Sequence, residues 1–255
     1  MDNDCIDLEQ EMTPHQTWGD FILYLLGGLG LFFFFSVVIG HYFNEINLTV
    51  TTLVIISNLV CIGGSVIMLG IVRKRISWVS LGVSPNAWHW EYVPIAASLA
   101  LGIIPFRVCA GVTIEVWAQG GLESLQSRNA LFFSGGISWL SFVVIFIGIG
   151  ILAPISEEMY FRGLIYKWLK QRWGVPIGVV ISSLLFGVAH LDSIAVAVSA
   201  LIMGVVLALA YERTKSLYMP IAIHIITNTF SVLLAFFMFI LQEQFPSLLS
   251  YISVL

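Results

Sequence analysis

The chain is short of charge. Of its 255 residues only 10% are Asp, Glu, Lys or Arg, while 58% are hydrophobic and the mean hydropathy is +0.95. A soluble domain of this length needs a charged shell around its core, so this composition excludes one and implies a polytopic membrane protein. Cationic charge is also scarce: 11 Lys and Arg stand against 15 Asp and Glu, for a net charge of −4. Nothing in that balance suggests a nucleic-acid partner. Cysteine is limited to Cys5, Cys61 and Cys109, a spacing that fits neither a disulfide framework nor a zinc cluster. Cys61 and Cys109 lie in apolar runs and read as small packing residues. The first twenty residues hold no Lys or Arg. The charged start of a cleavable signal peptide is therefore missing, and the first apolar run is expected to remain as an anchor.

Long apolar runs are present. They predict an all-α fold, a polytopic membrane helical bundle of about seven transmembrane helices. The expected spans are 21–43, 49–72, 92–118, a fourth from near Ile137 to Arg172, then 175–190, 194–211 and 218–241. The third contains Arg107 and Glu115 and is still read as a full span. Residues 1–20 read as a short acidic, mobile tail, 21–245 as a single transmembrane domain, and 246–255 as a second tail. No internal repeat or further domain is evident. Three basic clusters, Arg73-Lys74-Arg75, Lys167/Lys170/Arg172 and Arg213/Lys215, mark a cytoplasmic face and place the N-terminus on that side. Trp78, Trp88 and Trp90 suit the membrane interface. Trp173-Gly174 reads as a turn, and Pro154 predicts a kink in the fourth helix. Ala200, Gly204 and Ala208, four apart, predict close helix packing.

Charge that does enter the apolar runs is concentrated at Glu157-Glu158-Met159-Tyr160-Phe161-Arg162-Gly163. Ionisable groups at membrane depth are costly and mark functional sites. On a helix, residues four apart share a face and adjacent residues diverge by about 100°. Glu158 therefore pairs with Arg162, while Glu157 has Phe161 at the same offset and no counter-ion. Glu158 is expected to orient the helix and Glu157 to act as a general base. Downstream, Phe186-Gly187-Val188-Ala189-His190 and His224-Ile225-Ile226-Thr227-Asn228 give two more pairs at i, i+4. Glu157 to Arg172 and Val175 to His190 are equal in length. An antiparallel hairpin would then raise both residues by about 22 Å and bring them to one depth. His224 starts its helix closer to the basic side, a gap that the residues alone do not close.

These three motifs, in this order, resemble those of the CPBP intramembrane proteases, the group that includes type II CAAX prenyl endopeptidases and bacteriocin-immunity-type membrane proteins. The resemblance covers about 135–240. Ala208 stands where a second glycine is common, and Thr214-Lys215-Ser216 where Thr-Gly-Ser is common. The resemblance implies a site between the fourth, fifth and seventh helices, and an endopeptidase that hydrolyses a prenylated CAAX C-terminus or a membrane-bound peptide. Glu157, His190, His224 and Asn228 are its expected catalytic residues, with Glu158, Arg162 and Phe186 as orienting residues and wall. Two chemistries fit. In one, favoured here, no cofactor is needed: Glu157 and His190 activate water while His224 and Asn228 bind the oxyanion. In the other, Glu157, His190 and His224 hold zinc. A non-catalytic immunity or scaffold partner is the alternative, followed by a proton-coupled transporter, which would predict repeats or paired broken helices.

Overall fold

The computed structural model describes residues 16–43, 47–84, 87–119, 138–191 and 193–244. Among these there is no strand, and six helices are long and apolar enough to cross a membrane. They are α1 (Trp18–Tyr42), α2 (Leu48–Val72), α3 (Tyr92–Gln119), α4 (Trp139–Val188), α5 (Ile194–Thr214) and α6 (Tyr218–Gln244). The number reconciles with seven crossings because α4 is 50 residues long and turns back on itself at Gly174. There φ is +80° and ψ 177°, a backbone geometry that glycine adopts without steric cost. The expected fourth and fifth spans are thus the two limbs of α4.

Polar side chains start the helices. Thr17, Asn47, Ser138 and Ser193 each accept a hydrogen bond from a backbone N–H in the first turn of α1, α2, α4 and α5. Thr17 and Asp20 form a reciprocal capping box. This corrects the tail boundary. Residues 1–15 lie outside the described residues, as do 246–255, but α1 already begins at Trp18. Asp20 is 1% exposed and lies 3.5 Å from Arg73 and 3.3 Å from Arg75. A buried carboxylate in a membrane helix needs such partners.

The same contacts bring the three basic clusters to one face. Lys170 donates to Glu212 on α5, and Lys215 also pairs with Glu212. The Trp168 indole donates to Thr17 O at 3.0 Å, and Arg172 donates to Gln16 O while stacking over the Trp168 ring at 4.2 Å. Trp168 is fully buried; it anchors α1 to α4 and does not face headgroups.

Residues 76–84 fold under this face as a plug. Leu81 is fully buried, and a Cβ at Gly163 would meet its side chain at 2.5 Å. Ser216, in the α5–α6 turn, donates to Ala87 O at 2.9 Å and lies 3.5 Å from Gly82 O. Leu217, which follows, is 0% exposed. The chain therefore re-enters the bundle before α6 begins, and His224 gains the depth that residue counting denied it.

Of the remaining expectations, α3 is a single helix through Arg107 and Pro105, with Arg107 donating to Ser199 on α5 at 2.9 Å. Gly204 packs on the second limb of α4, where a Cβ would come within 3.0 Å of Ser183 Cα. Pro154 does not break α4. The backbone stays helical from Leu152 to Met159, preceded by a widened, π-type turn over Gly148–Leu152.

Candidate functional site

The two acids enter the bundle on different faces of the first limb of α4. Glu158 is 0% exposed and Arg162 1%. Arg162 Nη1 donates to Glu158 Oε1 at 3.1 Å, and Nη2 donates to the carbonyl of Gly204 at 2.9 Å. His224 Nδ1 donates to the same Glu158 oxygen at 2.8 Å. The guanidinium lies over the Phe186 ring, 4.8 Å from its centroid. Glu158 thus fixes one end of the His224 ring as well as its own helix, a role beyond the ion pair read from spacing.

Glu157 has a different environment. Its Oε2 lies 3.9 Å from His190 Nε2 and 3.9 Å from His224 Nε2. Its Oε1 accepts a hydrogen bond from Asn58 Nδ2 of α2 at 3.0 Å. The site therefore draws on α2 as well as on both limbs of α4 and on α6. Asn58 was not singled out in the sequence. The signal it offers is a lone amide in the run Val54–Val60, and polar groups at membrane depth need a reason.

The tautomers of both histidines follow from their partners. His190 ends the second limb. Its backbone N–H goes to Gly187 O, so Phe186 O lacks its usual i+4 donor, and His190 Nδ1–H supplies one at 2.8 Å. The Phe-x-x-x-His spacing is thereby a helix C-cap. The Phe186 ring stands 4.6 Å from the His190 ring and 5.7 Å from that of His224, which makes it a wall. With both Nδ1 atoms donating, each neutral ring turns an Nε2 lone pair toward Glu157.

With neutral rings, Glu157 Oε2 thus faces two Nε2 acceptors at 3.9 Å, and a group bridging either pair must bring hydrogen or positive charge. A water oxygen about 2.8 Å from Oε2 and from an Nε2 would subtend nearly a right angle, which 3.9 Å allows. Tetrahedral zinc, with bonds of about 2.1 Å, would hold the same two atoms about 3.4 Å apart. Glu157, His190 and His224 have the donor chemistry for zinc, but their present spacing is wider. Among the described residues no group of three or more such side chains is placed to hold a metal ion.

Asn228 lies one turn beyond His224, and its amide turns to the α4 backbone, donating to Ile149 O at 3.1 Å. Pro154 explains why. In the widened turn Ala153 N–H bonds Gly148 O. The next donor in that register would serve Ile149 O, but it is Pro154, which has no N–H. Tyr160 has a comparable structural use: its hydroxyl donates to Tyr24 O at 2.7 Å.

Fold and site together define a class: a multi-pass membrane protein with a Glu–His centre between packed helices, Glu157 and His224 buried and His190 partly exposed. The sequence comparisons narrow it. Residues 139–230, which carry all three motifs, match the family described as "Type II CAAX prenyl endopeptidase Rce1-like". The resemblance read from the motifs therefore holds over the segment that builds most of the site. The chain is 34% identical over 144 residues to the "Putative membrane peptidase YdiL" of Bacillus subtilis (strain 168), covering 53% of this chain and 58% of that protein. It is 36% identical over 91 residues to the "Membrane-embedded CAAX protease MroQ" of Staphylococcus aureus (strain USA300), covering 33% and 36%. It is also 36% identical over 83 residues to the "UPF0177 protein YaiH" of Lactococcus lactis subsp. lactis (strain IL1403), covering 32% and 34%. The chain thus spans about a third to somewhat over half the length of these curated relatives. No solved structure matches it significantly.

Proposed function

We propose that the chain is an intramembrane endopeptidase that hydrolyses a peptide bond in a membrane-associated substrate with water activated by Glu157 and His190. One observation carries this reading: Glu157 Oε2 lies 3.9 Å from Nε2 of His190 and 3.9 Å from Nε2 of His224, separations that a bridging water spans. Water held there donates one hydrogen to Glu157 Oε2 and the other to an Nε2, and its own lone pair is left for a carbonyl carbon. Glu157 takes the proton as hydroxide adds, then returns it to the leaving amine. His224 has its Nδ1–H committed to Glu158, so it meets the oxyanion only when Nε2 also carries a hydrogen. The second amide hydrogen of Asn228 is the other candidate donor. Donors of this kind contribute about 3–4 kcal/mol each in a dry site.

The metal-free route is the one proposed, although Glu157, His190 and His224 also have the donor chemistry for zinc. Metal content tests it: one zinc per chain in an active preparation, with activity lost to chelation and restored by zinc, would assign the three side chains to a metal instead. The family description and the name of the Staphylococcus relative support a substrate with a prenylated CAAX C-terminus, or a peptide held in the bilayer. The shared basic face supports a cytoplasmic N-terminus, by the excess of Lys and Arg on that side.

The deciding experiment compares new protein termini in membranes of cells carrying wild type or Glu157→Ala at matched expression. Termini present in the first and missing in the second are the expected result and would name the substrate. Identical termini, with any cellular phenotype intact, would replace this reading with that of a non-catalytic partner.

A further inference from the structure

Among the described residues, the one hydrogen bond made by the Glu157 carboxylate comes from another helix. Asn58 lies where α2 widens into a π-type turn over Asn58–Gly63. Its Nδ2 donates to Glu157 Oε1 at 3.0 Å, and its Oδ1 is 2.9 Å from Ser156 Oγ, whose hydroxyl it shares with Ala153 O at 2.9 Å. These partners define which end of the amide is which. Flipped, Asn58 would set its oxygen against the Glu157 carboxylate, acceptor against acceptor. Close helix approach makes the contact possible: a Cβ at Gly63 would lie 3.2 Å from Ser156 Cβ. Asn58 is only half-buried and touches neither histidine in any described contact.

We propose that Asn58 is a positioning residue for the water-activating carboxylate: it holds Glu157 Oε1 so that Oε2 alone is presented to His190 and His224, and Ser156 holds Asn58. The inference rests on the peptidase reading above and adds the missing constraint to it. A glutamate has three rotatable bonds, and its two oxygens are chemically equivalent. Without a lateral tether it would swap oxygens and drift from the imidazoles. A bonded Oε1 removes that freedom. The arrangement also ties the catalytic base to α2, outside the segment that carries the motifs.

The test uses the full chain in detergent micelles with a quenched fluorescent farnesylated CAAX peptide as probe. Asn58→Leu keeps the volume and removes both bonds. It is expected to lower kcat roughly 10- to 100-fold with KM within about twofold, since misplacement acts on the chemical step. Asn58→Asp, which cannot donate when ionised, should lower kcat at least as far, and Ser156→Ala should lower it less, again with KM little changed. A merely structural Asn58 would lower yield and leave kcat per folded molecule unchanged, which would overturn the proposal. A double-mutant cycle of thermal unfolding midpoints, Asn58→Leu with Glu157→Met, which has no acceptor oxygen, reads the contact without catalysis. If wild type does not turn over the probe, the substrate assignment fails, yet the cycle still decides. A double variant less destabilised than the two single effects combined supports the tether, and additive midpoints refute it.

Discussion

Glu157 and Glu158 are neighbours in the chain, yet they occupy opposite kinds of site. Glu158 is enclosed, and one of its oxygens is shared by Arg162 and His224 at 3.1 and 2.8 Å. Glu157 has an amide on one oxygen and, on the other, two imidazoles too far away to bond directly. A helix accounts for the split, since a step of about 100° turns one side chain toward α5 and α6 and the other toward α2 and the histidines. The lesson is that direct bonds to a cation and an imidazole commit Glu158 to structure, while Glu157 keeps one oxygen for the proposed chemistry. His224 joins the two: Nδ1 bonds Glu158, and Nε2 stands 3.9 Å from Glu157.

The largest test of this contrast replaces each acid by its amide. Glu157→Gln is expected to reduce turnover by about 10³-fold, within the range for loss of a general base, with a normal yield of folded protein and little change in unfolding midpoint. Glu158→Gln is expected to cost about 3–5 kcal/mol, because it strands the buried Arg162 cation. Its signature is a lower midpoint and poor recovery from membranes. Equal loss of folded protein in both variants would erase the distinction.

Asn228 sharpens the contrast on α6. Asn228→Leu leaves Ile149 O without a donor, a loss expected to cost about 1–3 kcal/mol. If its amide also meets the oxyanion, kcat per folded molecule falls as well. Comparing the unfolding midpoint with kcat per folded molecule separates these contributions. A drop in stability alone would assign Asn228 wholly to the Pro154 gap.

Much of this was legible in the residues because local spacing carries it. The Glu158–Arg162 pair is an i, i+4 contact, the hairpin at Gly174 follows a basic run, and the equal limbs predicted that Glu157 and His190 would share a depth. What was hidden depends on packing between segments distant in the chain. Asn58 stands 99 positions from Glu157, and no periodicity links them. Asp20 looked like tail because its arginine partners follow the second span. The donor missing at Pro154 was legible; that the helix widens one turn before it and takes a donor from Asn228 was not.

The smallest effect concerns the turn that gives His224 its place between the two acids. Lys215 ends α5 with φ +53° and ψ 20°, a left-handed geometry that costs a residue with a Cβ about 1–2 kcal/mol. Glycine has no such penalty, and it is the residue common at this position in the family that the motifs resemble. Lys215→Gly also removes an ion pair to Glu212 whose lysine is more than half exposed, a loss of at most about 1 kcal/mol. Glycine's greater freedom in the unfolded chain offsets part of the gain. The balance is a rise in stability of about 0.5 kcal/mol, read as a higher unfolding midpoint. Turnover per folded molecule should not change, because Ser216 still ties the turn to the plug beneath it. A fall in turnover with stability intact would mean that the lysine itself sets the depth of α6, and with it the reach of His224 to both carboxylates.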